Sequence, residues 1–373
     1  MAMASARTFF ETALAKADVM VGGGRPQDIQ VHDERLFNRV LRHGTLGLGE
    51  AYMDGWWDAN ELDVFIDTVM RAHLDKKIEI NLAAISTIAQ AFLFNQQSRE
   101  GSQDVAREHY DLSAELYMSF LDPYNQYTCG YFKDTDILNV AQEQKLDLIC
   151  KKLQLKQGDR VLDIGCGWGG FAKYAAEHYG VSVTGITLSK EQLAYAKEFT
   201  QGLDVELRLQ DYRDLDETFD KVLVCGMIEH VGYKNYRTFF EMTRRCLKDD
   251  GLFLLHTIGY ESSQLTSDPW ITKYIFPNGA IPSVAQIGKA IERIFIIEDL
   301  HNFGADYDKT LMAWFKNFDA AWPMLKAKYD ERFYRMWKYY LLSCAGAFRA
   351  REIQLWQIVL AKGGVPGGYT SVR

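Results

Sequence analysis

Apolar positions change rhythm along this chain. From residue 160 onward, short runs of Val, Ile and Leu alternate with stretches that repeat every three to four positions. The runs at 160–165, 181–187, 205–210, 221–226 and 252–258 read as strands, and the stretches at 169–179, 189–200 and 234–247 as helices. Lys248-Asp249-Asp250-Gly251 reads as the turn into the fifth strand. Such alternation predicts an α/β fold with a parallel sheet and right-handed crossovers. The first 95 residues follow another pattern. Met1 to Met20 reads as an amphipathic helix closed by Gly22-Gly23-Gly24. Apolar positions then recur at Leu36, Phe37, Val40, Leu41, Leu46, Leu48, Tyr52, Trp56 and Trp57. Around Asn95 to Asp104 the composition turns polar, with Gly and Ser. The expected division is a smaller, mainly helical accessory domain over 1–95, a linker over 96–108 and an α/β domain over 109–373. The aromatic stretch 259–282, with Pro269, Pro277 and Pro282, is long for a loop and reads as a lid or substrate-binding element.

Composition narrows the class. The chain has 373 residues, 47% hydrophobic and 25% charged, which is ordinary for a soluble globular protein with two domains. No apolar run approaches the ~20 residues a membrane span needs. Glu11, Lys16 and Asp18 interrupt the first apolar pattern, so it does not read as a signal peptide. Six cysteines lack paired or zinc-type spacing, so no metal site and a reduced, cytoplasmic setting are expected. A net charge of −8 argues against nucleic acid as partner. Residues 323–363 are the basic exception. Lys326, Lys328, Arg332, Arg335, Lys338, Arg349, Arg351 and Lys362 face only Asp330, Glu331 and Glu352 there, which reads as a solvated helix face or a contact for anionic lipid headgroups.

The strand at 160–165 runs directly into Gly165-Cys166-Gly167-Trp168-Gly169-Gly170, with Asp163 at its end. Glycines there let backbone approach a ligand at the carboxyl edge of an open sheet. A dinucleotide site fits the same Gly spacing. However, the second strand ends in Leu188-Ser189-Lys190-Glu191-Gln192 without the usual ribose-binding acid, and Glu191 comes a few residues late. Asp163 suits an amino-acid ammonium, while Asp211-Tyr212 offers a carboxylate for an exocyclic amine beside a ring that can stack. The set resembles a class I methyltransferase binding S-adenosylmethionine.

Longer segments make the resemblance more specific. They are Leu46-Gly-Leu-Gly-Glu-Ala-Tyr-Met-Asp-Gly-Trp-Trp57, His109-Tyr-Asp-Leu112, Asp268-Pro-Trp-Ile-Thr-Lys-Tyr-Ile-Phe-Pro-Asn-Gly279, His301-Asn-Phe-Gly-Ala-Asp-Tyr307 and Cys344-Ala-Gly-Ala-Phe-Arg-Ala-Arg351. Together they resemble the family of cyclopropane fatty acid and mycolic acid cyclopropane synthases, over the whole chain. The resemblance implies a Rossmann-like, mostly parallel seven-stranded sheet. It also implies methylene transfer to the cis double bond of unsaturated acyl chains in membrane phospholipids, by a peripheral membrane protein at the inner membrane surface that forms a homodimer. A bound bicarbonate is the implied base, held at Cys129, Glu229, His256, Ile258 and Tyr307. The implied cofactor positions are Tyr127, Thr128, Leu162, Asp163, Gly165, Cys166, Gly167, Trp168, Gly169, Gly170, Thr187, Leu188, Ser189, Gln192, Asp211 and Tyr212. Tyr110, Tyr127, Tyr131 and Tyr307 would offer π faces to a cationic transition state.

Each position also has a plainer reading. His256 fits a core histidine, Glu229 an acid at a helix N-terminus, Tyr307 a cap on the helix that follows, and Cys166 a lining residue. Cys344 is a candidate site residue whose plain reading is a small apolar filler. Trp56 and Trp57 suit either a lipid-facing surface or a domain core. Two rival functions stay open: C-methylation giving a branched or hydroxylated chain, and a lipid-binding module without catalysis. If the accessory domain is separable, deleting residues 1–95 spares cofactor binding and cuts turnover on vesicles, which labelled cofactor and vesicle assays would check.

Overall fold

The computed structural model describes residues 2–73 and 113–373. The linker, the boundary at residue 95 and His109 to Leu112, with Tyr110, lie outside the described residues. By contact the chain divides into two compact units. One comprises Met1–Phe94, Thr266–Pro277 and Tyr307–Ile353; the other comprises Asn95–Leu265, Asn278–Asp306 and Gln354–Arg373.

In chain order the first unit begins with α1 (Ala2–Ala15), β1 (Ile29–Val31), α2 (Arg35–Met53), β2 (Trp57–Ala59) and α3 (Leu62–Arg71). The second unit supplies α4 (Ala114–Met118), α5 (Leu138–Lys152), β3 (Arg160–Ile164), α6 (Gly170–Tyr179), β4 (Ser182–Thr187), α7 (Lys190–Phe199) and β5 (Val205–Leu209). It continues with β6 (Phe219–Cys225), α8 (Tyr236–Cys246) and β7 (Leu247–Tyr260). After them come α9 (Pro269–Tyr274), α10 (Val284–Ile291), β8 (Ile296–Asn302), α11 (Ala305–Leu325), α12 (Glu331–Arg349) and β9 (Ile353–Ala361).

The second unit is built on a seven-stranded sheet in the order β5-β4-β3-β6-β7-β9-β8. Strands β3 to β7 pair in parallel, while β8 and β9 pair antiparallel. Alternate residues of one strand feed opposite faces, so Leu162 and Ile164 enter one apolar cluster and Val161 the other. The five expected strands and three expected helices all form, within a few residues of their predicted ends. Lys248 to Gly251 is not a simple turn, however. It lies within β7 as an excursion, where pairing jumps from Phe219 with Leu247 to Lys221 with Leu252. The basic stretch 323–363 is not one helix face either. Its end, Ile-Gln-Leu-Trp-Gln-Ile-Val-Leu-Ala, is the buried strand β9, because continuous apolar and β-branched residues suit a strand covered on both faces.

The first unit is helical and closed by chain far from its start. α12 packs on α3 and α2, and α9 packs on α2. Residues 266–277 and 307–353 therefore cluster with the N-terminal helices, although the sequence reading kept 109–373 together. Trp270, 1% exposed, is central: its ring lies 4.7 Å from that of Tyr339, and its indole N–H donates to Met53 Sδ at 3.4 Å. Trp57 is fully buried against Tyr52 and Phe65, whereas Trp56 is partly exposed, so the paired tryptophans serve different ends. Much of the basic run is also committed internally. Arg332 pairs with Asp54, Arg335 with Asp58, and Arg349 with Asp63 and Asp308.

Deleting residues 1–95 would strip the surface on which α12 packs, so the separable-domain expectation of the sequence does not suit this unit. The seam is sharpest at Gly346. A Cβ there would come within 2.5 Å of the Asp63 carbonyl and 2.9 Å of Ile66. Gly346→Val is expected to cost about 1–3 kcal/mol by overpacking. Urea unfolding checks this, and a midpoint unchanged from wild type would show that the seam has slack.

Candidate active site

Strand β3 delivers Asp163, 2% exposed, to the carboxyl edge of the sheet. The chain then turns through Gly165, Gly167 and Gly169 at φ of +86°, +51° and +83°, where a Cβ is disfavoured. A Cβ on Gly165 would come within 2.9 Å of Met227, and one on Gly170 would land on the Tyr124 carbonyl. The corresponding direction at Gly167 meets open space. The loop is therefore a backbone cradle that side chains would fill, and it fits the close approach of a nucleoside-type cofactor.

Other expected cofactor residues gather around it, some with work already assigned. Trp168 is buried 5.5 Å from the rings of both Tyr117 and Tyr195, and Tyr117 lies 5.1 Å from Tyr127. Cys166 is buried, and burial pushes its thiol well up, which leaves it a lining residue and not a nucleophile. The Thr187 hydroxyl donates to Gln192 Oε1 at 3.2 Å, and Ser189 Oγ accepts from the Gln192 backbone N–H, capping α7 beside the partly exposed Leu188. Glu191, weighed as a ribose-binding acid, instead accepts from the Ala114 backbone N–H at 2.9 Å. Asp211 accepts from the Arg213 backbone and guanidinium at 2.9 and 2.8 Å, so an adenine amine would share that carboxylate. The same guanidinium lies 4.6 Å over the Tyr212 ring, and the Tyr212 hydroxyl is buried without a hydrogen-bond partner among the described residues.

Lys145, on α5, is the residue sequence reasoning missed. It is fully buried and donates to Gln126 Oε1 and, at 2.9 Å, to Thr128 Oγ1. Gln142, a turn earlier, donates to the Thr128 carbonyl at 2.8 Å. These two amphiphiles therefore hold the Tyr127-Thr128-Cys129 segment from beneath. Burial pushes the Lys145 ammonium down, against the attraction of Asp122 and Asp163 among others. A signal was available: Ala141, Lys145 and Ile149 share one helical face, and a lysine on an apolar face requires a partner.

Cys129, Glu229, His256 and Ile258 fall in this same unit. Cys129 is fully buried, its thiol donating to the Gly130 carbonyl at 3.1 Å. Glu229 sits in a 3-10 turn after β6 and accepts from the Ile258 N–H at 2.8 Å. That bond spends the Ile258 amide on the carboxyl group. Glu229 Oε2 is buried with no hydrogen-bond partner among the described residues, the nearby Thr257 hydroxyl being donated to the Ile258 carbonyl. His256 and Ile258, two apart on β7, project to one face. The His256 Nδ1 lies 3.2 Å from the Gln357 side-chain amide of β9, while Nε2 has no partner among the described residues. Phe303 covers the imidazole edge-on at 5.9 Å. Burial pushes Glu229 up, against its backbone hydrogen bonds, and pushes His256 well down. Glu229 and His256 thus each keep one buried polar atom without a hydrogen-bond partner among the described residues. Gln357 was also missed, because β9 was read as helical.

Tyr307 and Cys344 belong to the first unit. The Tyr307 ring packs 4.4 Å from that of Phe348 near the start of α11. Burial pushes the Cys344 thiol up to about 12, which suits a filler on α12 and not a nucleophile.

An open α/β sheet in this order, with a glycine cradle after its first parallel strand, defines a class I methyltransferase fold. Residues 96–358 match the family described as mycolic acid cyclopropane synthetase. The chain is 55% identical over 350 residues to the cyclopropane-fatty-acyl-phospholipid synthase of Escherichia coli (strain K12), covering 94% of this chain and 92% of that protein. It is 31% identical to the tuberculostearic acid methyltransferase UfaA1 of Mycobacterium tuberculosis, covering 89% and 82%. Among solved structures, the cyclopropane synthase MmaA2 of M. tuberculosis superposes with a TM-score of 0.66 at 32% identity, over 70% of this chain and 98% of that one. The mycolic acid cyclopropane synthase CmaA1, complexed with SAH and CTAB, gives a TM-score of 0.65 at 31% identity, over 69% and 97%. The chain belongs to the mycolic acid cyclopropane synthetase family.

Burial pushes the Asp163 carboxyl up to about 7, against the attraction of Lys145. Between the ordinary carboxylate range, ~4, and about 7 the unfolded chain is ionised there and the native one is not, so this residue's contribution falls as pH rises and is lost above about 7. Asp163→Asn removes that dependence. Its stability relative to wild type is expected to improve steadily across this window and then level off. Urea midpoints at several pH values check this, and a constant difference would contradict a raised Asp163.

Proposed function

We propose that this chain is an enzyme that transfers a methylene from S-adenosylmethionine to the cis double bond of unsaturated acyl chains in membrane phospholipids. The observation that carries this reading is the buried Glu229–Ile258–His256 set at the edge of the sheet that holds the glycine cradle. When bound, S-adenosylmethionine supplies the activated methyl, and bicarbonate the base for the proton lost on ring closure. An alkene is a weak nucleophile, so the protein's part is positioning and exclusion of water. Asp163 and the loop from Gly165 to Gly170 orient the methyl donor, Lys145 fixes the Tyr127-Thr128 segment beside it, and Tyr127 and Tyr131 offer aromatic faces to positive charge.

Glu229 and His256 hold the anionic base. A carboxyl that keeps its proton donates to an anion where a carboxylate would repel it. His256, kept neutral, offers its remaining ring nitrogen. The amide N–H of Ile258 orients Glu229, and Cys129 contributes backbone. The participation of Tyr307 rests on the family resemblance, as do homodimer formation and attachment to the inner membrane surface. Among the described residues no helix is long and apolar enough to cross a membrane, so contact with lipid is expected at a surface.

The test is methyl-labelled S-adenosylmethionine with vesicles of monounsaturated phospholipid, with and without bicarbonate, followed by mass analysis of the fatty acids. Gain of one CH₂ with loss of olefinic protons is expected, and bicarbonate is expected to raise the rate. A methyl-branched product would replace the reading with C-methylation, and cofactor binding without transfer would leave a lipid-binding module. Glu229→Gln is expected to bind S-adenosylmethionine nearly as wild type, by calorimetry, and to lose about 10²–10⁴-fold in turnover. Wild-type turnover in that variant would remove Glu229 from the mechanism.

A further inference from the structure

We propose that a cationic cavity in the first unit binds the phosphate diester of an anionic membrane phospholipid, apart from the methyl-transfer site. The cavity encloses about 440 Å³, within the range of small-molecule sites. Arg35, Asn38, Arg39, Arg42 and His43, from the first half of α2, line it. Leu46 and Glu50 of the second half, with Trp56 and Lys273, complete it. Gly44, at φ +55° and ψ −132°, breaks α2 between those halves, which lets both contribute to one hollow. Four permanent cations thus line the cavity against a single carboxylate.

That carboxylate is already matched. Glu50 accepts from Lys273 at 2.6 Å, Arg39 at 2.7 Å and the Tyr274 hydroxyl at 2.9 Å. Burial alone would raise it, but these bonds hold it at about 2. Asp33 and Asp54, which pair with Arg35 and Arg39, do not line the cavity. Pairing also leaves donors over. Arg35 Nη1, Arg39 Nε and the side chains of Asn38 and His43 make no hydrogen bond among the described residues. Preset guanidiniums with spare N–H groups suit a phosphate diester, which presents several acceptor oxygens and one negative charge.

Two features favour a lipid over free phosphate. The guanidiniums of Arg35 and Arg39 lie 4.5 and 4.7 Å from the Trp56 ring, an aromatic–cation pairing suited to the water–lipid boundary. Leu41, next to Arg42 in the chain, is 50% exposed and offers a membrane an apolar group on the same helix, although it does not line the cavity. Of the basic residues from 323 onward, Arg332, Arg335 and Arg349 are spent on Asp54, Asp58, Asp63 and Asp308, and none of the run lines this cavity.

The experiment is sedimentation of the full chain with dioleoylphosphatidylglycerol vesicles, in the absence of S-adenosylmethionine. Binding is thus read without turnover, so failure of this site and failure of the proposed reaction are told apart. Arg35→Gln is expected to lower the partition coefficient about fivefold, the usual effect of one cation near an anionic surface. Asn38→Leu, which changes no charge, is expected to lower it in the same direction. Lys326→Gln, outside the cavity, is expected to change it much less. Equal losses from Lys326→Gln and Arg35→Gln would reduce the effect to general charge and overturn the site, as would wild-type partition in both cavity variants. Inorganic phosphate at constant ionic strength is the remaining arm. Its failure to displace the protein supports the lipid assignment, and displacement at low millimolar concentration would assign the cavity to free phosphate instead.

Discussion

A carboxyl and an ammonium buried beside one glycine turn set the terms for the second unit. Asp163 ends the first strand of the sheet, and Lys145 reaches the same neighbourhood from α5 with no exposed surface. Neither would be tolerated alone in an apolar interior, since the desolvation of an unpaired charge outweighs any packing gained around it. Their mutual field, together with the bonds from Lys145 to Gln126 and Thr128, makes the interior polar beside the glycine cradle proposed to hold the cofactor. The glycines at 165, 167 and 169 then leave backbone, and not side chains, to face that space.

The same logic of selective dryness governs the edge formed by β6 and β7. Register places Cys225 beside His256, and the turn after β6 swings Glu229 back onto the Ile258 amide. Burial pushes the carboxyl up and the imidazole down, which disfavours the charged form of each and so an ion pair between them. Their spare atoms are kept available by that restraint. Gln357 steadies the other side of the imidazole from β9, so the strand order of the sheet, with β9 beside β7, helps to set how His256 is held.

Much of this was legible in the amino-acid sequence, for a physical reason. Parallel strands are apolar throughout and glycine loops tolerate few alternatives, so β3 to β7, the cradle and the order of helices between them announce themselves. The family resemblance pointed to Glu229 and His256, although neither lies in the segments that made it specific. Less legible were groups whose meaning depends on partners distant in sequence. Lys145 looks like an ordinary helical lysine until Gln126, Thr128 and Asp163 surround it. Gln357 was hidden in a strand whose neighbours, rich in aromatic and charged residues, read as helix. Asp211 was read as open to a ligand, although Arg213 two residues later already binds it. The basic run misled most: local charge counts ignore that Arg335 and Arg349 meet acids roughly 280 residues away in sequence, at Asp58 and Asp63.

The helical unit is assembled from both ends of the chain, and that fixes an order of events during synthesis. α2, β2 and α3 emerge early, carrying Phe37, Tyr52, Trp57 and Phe65, yet α12, which packs on α2 and α3, begins only at Glu331. At ordinary rates of elongation the intervening residues take of the order of tens of seconds to appear. Through that interval the first helices lack their native cover, while strands β3 to β7 already have the local neighbours they need. The nascent chain can therefore pair strands β3 to β7 before it closes its helical unit, whereas β9, which inserts between β7 and β8, emerges only after α12, and the early helices wait uncovered in the meantime.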